Sequence, residues 1–469
     1  MGQFFLKSII LIGLVLLCLN FLDPYFYQNH QYRNTIKGFE ELEKNSLSLA
    51  FFGNSQTYSS FDPRIFELEL DVNTFNFGGG AQKLTATKVI ADMVLRNSHL
   101  DLAVINVFSA NIFETVNEQY KSFYLKAVDP VPLSWEKTKS INSIFPLREQ
   151  PEALSKLIRN HSKWDSLTPI SNRFPYFRTQ DTYKGFNTYT IHYDSKEYNK
   201  FKEKYNKRSD SVFDLSEKQK KYIDDLINLF QNHQVPLLFV NAPSKIYNES
   251  VRERTTSQAI AKYVRSKGKK MLDFNEVDAF YQMDSSYYRN PNHLNTKGSI
   301  MASQYLVRYI MDSLKIQLKK GNVNLQNNRY YILKHPKKGL FHKELDSSMQ
   351  KKLFGIAGTI LYHKTRDRYE LIFPLTADTI GEQPFRLEHD VAPVEVKTYI
   401  KQKAFFNKDS TKVIFWGDFE KSDVLKYNDQ YFVIYQFQTP LKVLRNLSFH
   451  GGDKRLAEAF RIDSLTLKP

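Results

Sequence analysis

The hydrophobic pattern changes between residues 320 and 328, and this change constrains the fold more than any other feature of the chain. Before it, apolar segments such as LSLAFFGNS, LDLAVINVFSAN and VPLLFVNAP alternate with helical patterns. That alternation predicts an α/β domain in which a parallel sheet carries helices on both sides. After it come short segments rich in β-branched and aromatic residues, such as YELIFPL, KVIFWGDF and YFVIYQF. These predict an antiparallel β-sandwich.

We therefore expect an α/β domain over 25–320 and a β-sandwich over 321–469. Within the α/β part, Ser216 and Gln219 have the spacing of a capping box, and an apolar stripe follows them in the sequence. The stripe comprises Ile223, Leu226, Ile227 and Phe230. Residues 114–214 show no sustained periodicity, and we interpret them as an insertion that covers or shapes part of the domain.

The N-terminal segment 4–22 is mainly apolar and carries one charge, Lys7, and one amide, Asn20. Its nineteen residues approach the length of a helix that spans a hydrocarbon core of about 30 Å. No triplet of small residues follows as a cleavage site, and Leu17 is too bulky for a lipoprotein signal before Cys18. We expect an uncleaved anchor over 1–24, which would place the bulk of the chain on the extracytoplasmic, periplasmic side of the cell membrane. A long cleaved signal peptide is the alternative.

The chain is basic, with 66 Lys and Arg against 50 Asp and Glu, a net charge of +16. This charge favours an anionic neighbour such as a charged glycan or an acidic membrane surface, or else it only aids solubility. No zinc-finger, RNP-type or Arg-rich motif is present, so we do not expect a nucleic-acid partner. The single cysteine, Cys18, excludes an intramolecular disulfide and a cysteine metal site. We predict no metal and no cofactor.

Four polar or glycine-rich positions fall where a parallel sheet would gather them. Ser55, Gly78 to Gly80 and Asn111 follow predicted strands, and His293 precedes the last helical pattern. Ligands of such sheets bind beyond the carboxyl ends of the strands. A serine there can attack a carbonyl, a histidine can take its proton, and backbone or side-chain amides can bind an oxyanion. Each position alone would more often be a turn or a helix cap.

Four blocks together resemble the SGNH/GDSL hydrolase superfamily: FFGNSQTYSSFDPRIF, TFNFGGGAQ, DLAVINVFS and NPNHLNTKGS. They are most similar to its membrane-anchored envelope branch, which includes the DltD-like proteins and often works beside a membrane-bound O-acyltransferase. The resemblance covers about 47–314 without the insertion and implies a flavodoxin-like three-layer fold. It implies that Ser55 is the nucleophile, His293 the base, Gly80 a backbone oxyanion donor and Asn111 a side-chain donor. Asn111 fits its block only with a one-residue offset.

Asn290 departs from the pattern, because the family has an aspartate three residues before its histidine. An asparagine can orient the imidazole ring but supplies no charge to stabilise the imidazolium. Three interpretations remain open. Asn290 orients His293 in a slow enzyme, another carboxylate such as Asp284 serves His293, or the protein binds a ligand without turnover.

The favoured function at this point is a membrane-anchored acyl esterase or O-acyltransferase that acts on an envelope or secreted polysaccharide through a Ser55 acyl-enzyme. Its expected partners are an anionic glycan, the membrane and a membrane-bound O-acyltransferase. The alternative is a non-catalytic glycan-binding or assembly protein built on a retired SGNH domain. The β-sandwich resembles jelly-roll carbohydrate-binding modules, in which Trp416 and tyrosines would stack on sugars, or it is a structural or docking domain.

Overall fold

The computed structural model gives the arrangement of most of the chain. It describes residues 3–4, 6–8, 10–11, 13–14, 30–108, 112, 116–162, 180–190, 198–200, 203, 213–344, 347, 356–365, 368–377, 385–391, 404–406, 413–419, 424–438, 443–450 and 461–466. Across these residues, no helix is long and apolar enough to cross a membrane. Most of the predicted anchor lies outside the described residues, so the anchor stays a prediction.

A parallel sheet of five strands forms the centre of the first part of the chain, in the order β2-β1-β3-β6-β7. Its strands are β1 (Leu49–Gly53), β2 (Thr74–Gly78), β3 (Leu102–Asn106), β6 (Leu237–Asn241) and β7 (Lys270–Asp273). All residues of β1, β2 and β3 are buried, as expected for a sheet that is covered on both faces.

Helices cover both faces of this sheet. The helices are α1 (His30–Glu40), α2 (Ser55–Ser60), α3 (Pro63–Leu70), α4 (Leu84–Asn97), α9 (Glu217–Asn232), α10 (Lys245–Glu249), α11 (Val251–Ser266), α12 (Asp278–Tyr281) and α13 (Thr296–Tyr309). Apolar residues of α1, α4, α9 and α11 form one core, and those of α3 and α13 belong to a second. The predicted α/β fold class is confirmed, and so are the capping box and the buried stripe of α9.

The described part of the segment between β3 and α9 contains more regular structure than its sequence suggests. Its described elements are α5 (Glu118–Val128), α6 (Trp135–Ile144), α7 (Gln150–Leu154), α8 (Lys156–Asn160), β4 (Gln180–Tyr183) and β5 (Phe186–Tyr189). Strands β4 and β5 form an antiparallel hairpin, which we call the inserted hairpin. The helices were missed because α5 and α6 bury only a few residues each and therefore lack a broad apolar stripe.

Two antiparallel five-stranded sheets follow the short helix α14 (Arg329–Lys334). Their strands are β10 (Phe341–Glu344), β11 (Gly358–Thr365), β12 (Arg368–Leu375), β13 (Phe385–Val391), β14 (Ala404–Phe406), β15 (Val413–Phe419), β16 (Leu425–Tyr427), β17 (Gln430–Gln438), β18 (Val443–His450) and β19 (Arg461–Thr466). The sheet orders are β10-β11-β12-β17-β16 and β14-β15-β13-β18-β19. The packing of the two sheets against each other as a sandwich stays a prediction.

The first of these sheets packs against the α/β part. Ile372, Phe432 and other apolar residues of this sheet belong to the same buried cluster as those of α3 and α13. Two fully buried ion pairs lie at this seam: Arg64 meets Asp62 at 2.7 Å on the α/β side, and Arg329 of α14 meets Glu370 of β12 at 2.5 Å. The predicted boundary near residue 320 therefore falls before a segment that shares a core with the preceding part of the chain.

Two further strands complete the α/β part close to its carboxyl edge. They are β8 (Tyr288–Asn290) and β9 (His293–Leu294), which pair antiparallel across a tight turn. The turn places Asn290 opposite His293. We call this element the histidine hairpin. It leads directly into α13, whose N-cap is Asn295.

Candidate active site

Ser55 lies at the carboxyl end of β1, where the chain turns into α2. Gly53 has a φ of +139°, and a Cβ there would lie 2.4 Å from Thr57 Oγ1 and 2.9 Å from the Asn106 carbonyl oxygen. Only glycine accommodates both the backbone angle and the contact. Ser55 is the first residue of α2, where a helix leaves the backbone N–H without an intrahelical partner.

Buried asparagines hold the ends of the strands around this turn. Asn54 Oδ1 accepts hydrogen bonds from the Gln56 N–H at 3.0 Å and from Asn106 Nδ2 at 3.1 Å. Asn106 Oδ1 in turn accepts from the Ala242 N–H at 2.9 Å. Asn76 Nδ2 donates to the carbonyl oxygens of Thr57 and Phe61, both at 2.9 Å. These bonds connect the ends of four neighbouring strands, so the position of Ser55 is set by the sheet itself.

The structure brings Ser55, His293 and Asn290 into one hydrogen-bonded chain. His293 Nε2 lies 2.7 Å from Ser55 Oγ, and His293 Nδ1 lies 2.8 Å from Asn290 Oδ1. The ring of Tyr58 stacks beside the imidazole, with centroids 6.5 Å apart and an interplanar angle of 14°. This is the geometry of a nucleophile, a general base and a group that orients the base.

The surroundings of Asn290 determine which nitrogen of His293 carries the proton. The Asn292 backbone N–H donates to Asn290 Oδ1 at 3.0 Å, so the oxygen of that amide is the atom that faces the histidine hairpin. An oxygen can only accept, and His293 Nδ1 must therefore be the donor in the 2.8 Å bond. Nε2 is left with its lone pair towards Ser55 Oγ, which is the tautomer that a general base needs.

Hydrogen bonds join the inserted hairpin to the histidine hairpin and to the first residue of α13. Thr188 Oγ1, which is fully buried, donates to the Leu294 carbonyl oxygen at 2.6 Å, and Thr296 Oγ1 donates to the Tyr189 carbonyl oxygen at 3.2 Å. The hairpin is itself fixed by Lys184, whose ammonium meets the buried carboxylate of Glu67. Burial raises the pKa of Glu67, and Lys184 opposes that shift. Part of the insertion therefore contacts the candidate active site.

The electrostatic environment keeps His293 neutral. Burial disfavours the charged imidazolium, and the positive charge of Arg289 disfavours it further, which together lower the pKa of His293 to about 3. An acidic neighbour would have the opposite effect. Nε2 is therefore unprotonated at neutral pH, but no anion of the described residues stabilises the imidazolium that forms during proton transfer.

The other site residues named from the sequence have separate outcomes. Asp284 caps a short helical turn, and its Oδ1 accepts from the Ser286 N–H at 2.7 Å. His293 Nδ1 is bonded to Asn290 instead, so Asp284 does not replace the missing aspartate. Gly80 follows β2, and its carbonyl oxygen accepts from Tyr32 Oη at 3.1 Å. Its role as an oxyanion donor stays a prediction. Asn111 lies outside the described residues.

Sequence reasoning missed residues that complete the site. Tyr58 stands in the first quoted block and Arg289 directly before the last, but neither matches a family position, and only the fold brings them together. Asn106 was visible as the polar end of an apolar strand. Where the structure describes the chain, no three His, Cys, Asp or Glu side chains come together as a metal site.

No protein-family model and no curated relative matches the chain. Solved structures with similar folds include a candidate acylhydrolase of Bacteroides fragilis, at 11% identity and a TM-score of 0.31 over 60% of this chain and 95% of that one. Another is a two-domain esterase active on acetylated mannans, at 9% identity and a TM-score of 0.27 over 88% and 92%. A third is a gut microbial diltiazem-metabolizing enzyme, at 9% identity and a TM-score of 0.24 over 74% and 59%.

The first two of these neighbours are described as a candidate acylhydrolase and an esterase. Similarity at this level does not transfer a substrate or a mechanism to this chain. The functional argument therefore rests on the hydrogen-bonded chain at Ser55.

Proposed function

We propose that this protein is an acyl esterase or O-acyltransferase that forms an acyl-enzyme on Ser55. The observation that supports this function is the continuous chain from Ser55 Oγ through His293 to Asn290, with bonds of 2.7 and 2.8 Å. If Ser55 served only as a helix cap or a turn residue, it would not require a histidine nitrogen whose free lone pair faces its hydroxyl. The tautomer is also the one that accepts a proton from Ser55.

The reaction proceeds in two balanced halves. Ser55 Oγ attacks the acyl carbonyl carbon while its proton moves to His293 Nε2. The tetrahedral intermediate then collapses, the bond to the leaving alkoxide breaks, and the proton on Nε2 passes to that oxygen. In the second half, water or a sugar hydroxyl attacks the acyl carbonyl carbon while its proton moves to Nε2. The acyl–Oγ bond then breaks, Nε2 returns that proton to Ser55 Oγ, and the free acid or the new ester leaves. An esterase and a transferase differ only in the nucleophile that attacks the acyl-enzyme, which is water in an esterase and a sugar hydroxyl in a transferase.

Asn290 sets the expected rate. It orients the ring as an aspartate would, but it does not stabilise the imidazolium. In a serine protease, replacement of the orienting aspartate by asparagine lowers kcat by about 10⁴. We therefore expect a slow enzyme, and one whose His293 remains neutral over the whole physiological pH range because its pKa is about 3.

The cellular setting completes the proposal. The apolar segment 4–22 supports a single-pass anchor with the catalytic part on the extracytoplasmic side, and the net charge of +16 supports an anionic envelope or secreted polysaccharide as substrate. A membrane-bound O-acyltransferase is the proposed donor partner if the reaction is a transfer. N-terminal sequencing of protein from the native host tests the anchor, and a mature terminus beyond Leu22 would show a cleaved signal.

Covalent labelling tests the nucleophile. The full chain is incubated with a serine-directed phosphonate and, separately, with an activated acetyl ester. We expect one phosphonate per chain and slow ester hydrolysis, both lost in Ser55→Ala. Ser60→Ala is the matched control, because Ser60 lies on the same helix and its buried hydroxyl has no hydrogen-bond partner in the described part of the chain. Labelling that persists in Ser55→Ala would remove Ser55 from the mechanism.

One observation favours the non-catalytic alternative, namely the asparagine at position 290. If the domain has lost catalysis, three proteins should bind acetylated glycans equally well: wild type, Ser55→Ala and His293→Ala. None of the three should turn the glycan over. Detectable turnover by the wild-type protein excludes this alternative.

A further inference from the structure

Arg289 lies at the edge of the candidate active site, next to Asn290 on β8. Its guanidinium carbon is 4.8 Å from the ring centroid of Tyr189 and 5.6 Å from that of Tyr58. Tyr58 is the same ring that stacks beside His293. Only one aromatic ring therefore separates the guanidinium from the imidazole, and one of the two tyrosines comes from the inserted hairpin.

This guanidinium lacks the partner that a half-buried cation normally has. Among the described residues, its buried Nε has no hydrogen-bond partner, and the guanidinium makes one long contact of 3.4 Å from Nη2 to Tyr58 Oη. No carboxylate of the described residues pairs with it. The fully buried Arg64 and Arg329 differ in this respect, because each meets a carboxylate within the protein. A partly desolvated charge without a carboxylate partner among the described residues is unfavourable, and this favours an anion supplied by a ligand.

We propose that Arg289 binds the carboxylate of an acidic sugar residue that carries or adjoins the acyl group transferred to Ser55. This inference rests on the proposed function and names its substrate class as an O-acylated uronic-acid glycan. The planar fork of a guanidinium matches a carboxylate through two parallel hydrogen bonds, and among the described residues its two Nη groups make only the long contact to Tyr58. The basic character of the whole chain acts in the same direction at longer range.

A carboxylate bound to Arg289 would also change the basicity of His293. Arg289 disfavours the imidazolium of His293, and an anion on Arg289 offsets that effect. His293 then becomes a stronger base only when an acidic substrate is in place. The substrate itself supplies part of the negative charge that Asn290 does not.

A matched pair of substrates tests the inference. The first is a mono-O-acetylated methyl glucuronide, and the second is the corresponding methyl glucoside, which lacks only the carboxylate. We expect the wild-type kcat/KM to be about tenfold to a hundredfold higher for the glucuronide, the range of one charge-assisted hydrogen-bonded pair. Arg289→Gln should lose this preference, because its kcat/KM for the glucuronide falls towards its value for the glucoside.

Two further variants separate the fork from the charge. Arg289→Lys keeps the charge without the bidentate geometry, so we expect an intermediate preference. Arg308→Gln removes an exposed positive charge on α13 and should leave the preference unchanged. An equal loss on both substrates in Arg289→Gln and Arg289→Lys would assign Arg289 to the protein's own structure. A wild-type protein without preference, or one that prefers an acetylated sugar phosphate, would overturn the carboxylate site.

A binding measurement keeps this inference distinct from the proposed function. Titration calorimetry compares Ser55→Ala with Ser55→Ala/Arg289→Gln, using oligogalacturonide and a neutral xylo-oligosaccharide as probes. Selective binding of the acidic probe that is lost in the double variant supports the Arg289 site even if no acyl transfer is found. Equal binding of both probes by Ser55→Ala overturns it, whatever the outcome of the labelling experiment.

Discussion

The turn that carries Ser55 and the hairpin that carries His293 are held in different ways. The serine turn follows the central sheet directly, and glycine sterics and buried asparagine side chains at the strand ends fix it. The histidine hairpin is a two-strand element outside the sheet, and the inserted hairpin supports it through Thr188. The nucleophile is therefore positioned by the sheet, whereas the base depends on a segment added between β3 and α9.

This difference separates two kinds of sensitivity. Changes at the serine turn should act on the stability of the α/β part, because the same groups join neighbouring strands. Changes around the histidine hairpin should act on turnover with a smaller effect on stability. The four substitutions below test this division, beginning with the largest expected effect.

Gly53→Ala should lower the free energy of unfolding by about 2–6 kcal/mol, the sum of a strained backbone and an overpacked contact. The added Cβ would lie 2.4 Å from Thr57 Oγ1 at a φ of +139°. Gly268→Ala is the control, because its φ of +69° is also positive but nothing lies within 4 Å of the added atom. It should cost about 1 kcal/mol. Urea unfolding of both variants measures the difference, and equal losses would contradict a steric lock at the serine turn.

Asn290→Asp should raise kcat on an activated acetyl ester by about 10²-fold or more, within the limit of about 10⁴ set by the reverse change in a serine protease. The new carboxylate would accept from the same Nδ1 and stabilise the imidazolium. It should also raise the pKa of His293 above its value of about 3, which moves the acidic limb of the kcat/KM profile to higher pH. The base must be neutral, so activity falls as pH drops through that pKa. No gain in kcat would contradict the role of Asn290 as an uncharged orienting group.

Thr188→Val should lower kcat by about tenfold, because a small displacement of a catalytic group is costly in rate. The unfolding free energy should fall by only about 1–3 kcal/mol, the cost of the unpaired Leu294 carbonyl oxygen. Ser143→Ala removes an exposed hydrogen bond elsewhere in the insertion and should change neither quantity. Full activity in Thr188→Val would show that the inserted hairpin does not position His293.

Arg289→Gln should have the smallest of the four effects, a shift in the pH profile of kcat/KM. Removal of the positive charge favours the imidazolium and raises the pKa of His293, so the acidic limb of kcat/KM moves upward. Burial remains and is the larger cause of the low pKa, so the limb should stay well below the ordinary range of histidine near pH 6.5. A neutral acetyl ester serves as substrate here, which separates this effect from carboxylate binding. A limb that moves downward would contradict the assigned sign.

Much of the α/β part was predictable because local patterns and tertiary packing agree there. The apolar strand segments, the capping box of α9 and the start of α13 each have a local signal that the structure reproduces. The two ends of the candidate site, Ser55 and His293, follow from their blocks for the same reason. Residues that act through long-range contacts carry no such signal, and Thr188 and Arg289 are examples.

The packing of the C-terminal strands could not be predicted from the sequence, and the reason is different. The periodicity of β12 and β17 predicts strands, and the structure pairs them along their full length. Nothing in that periodicity shows that this sheet would share a core with α3, because burial against a helix and burial against a second sheet require the same alternation. Strands β10 and β11 have weaker patterns and were not assigned from the sequence.

The seam between the α/β part and the first C-terminal sheet has a consequence for biosynthesis. Tyr330 donates to the buried carboxylate of Asp62, 268 positions earlier, and Tyr427 donates to Glu69, 358 positions earlier. While the ribosome is still translating the last third of the chain, the outer face of α3 has no cover and Asp62 lacks one of its donors. Contacts of such long sequence separation form late and slowly. A nascent or prematurely terminated chain therefore exposes the apolar outer face of α3, which chaperones and proteases can recognise.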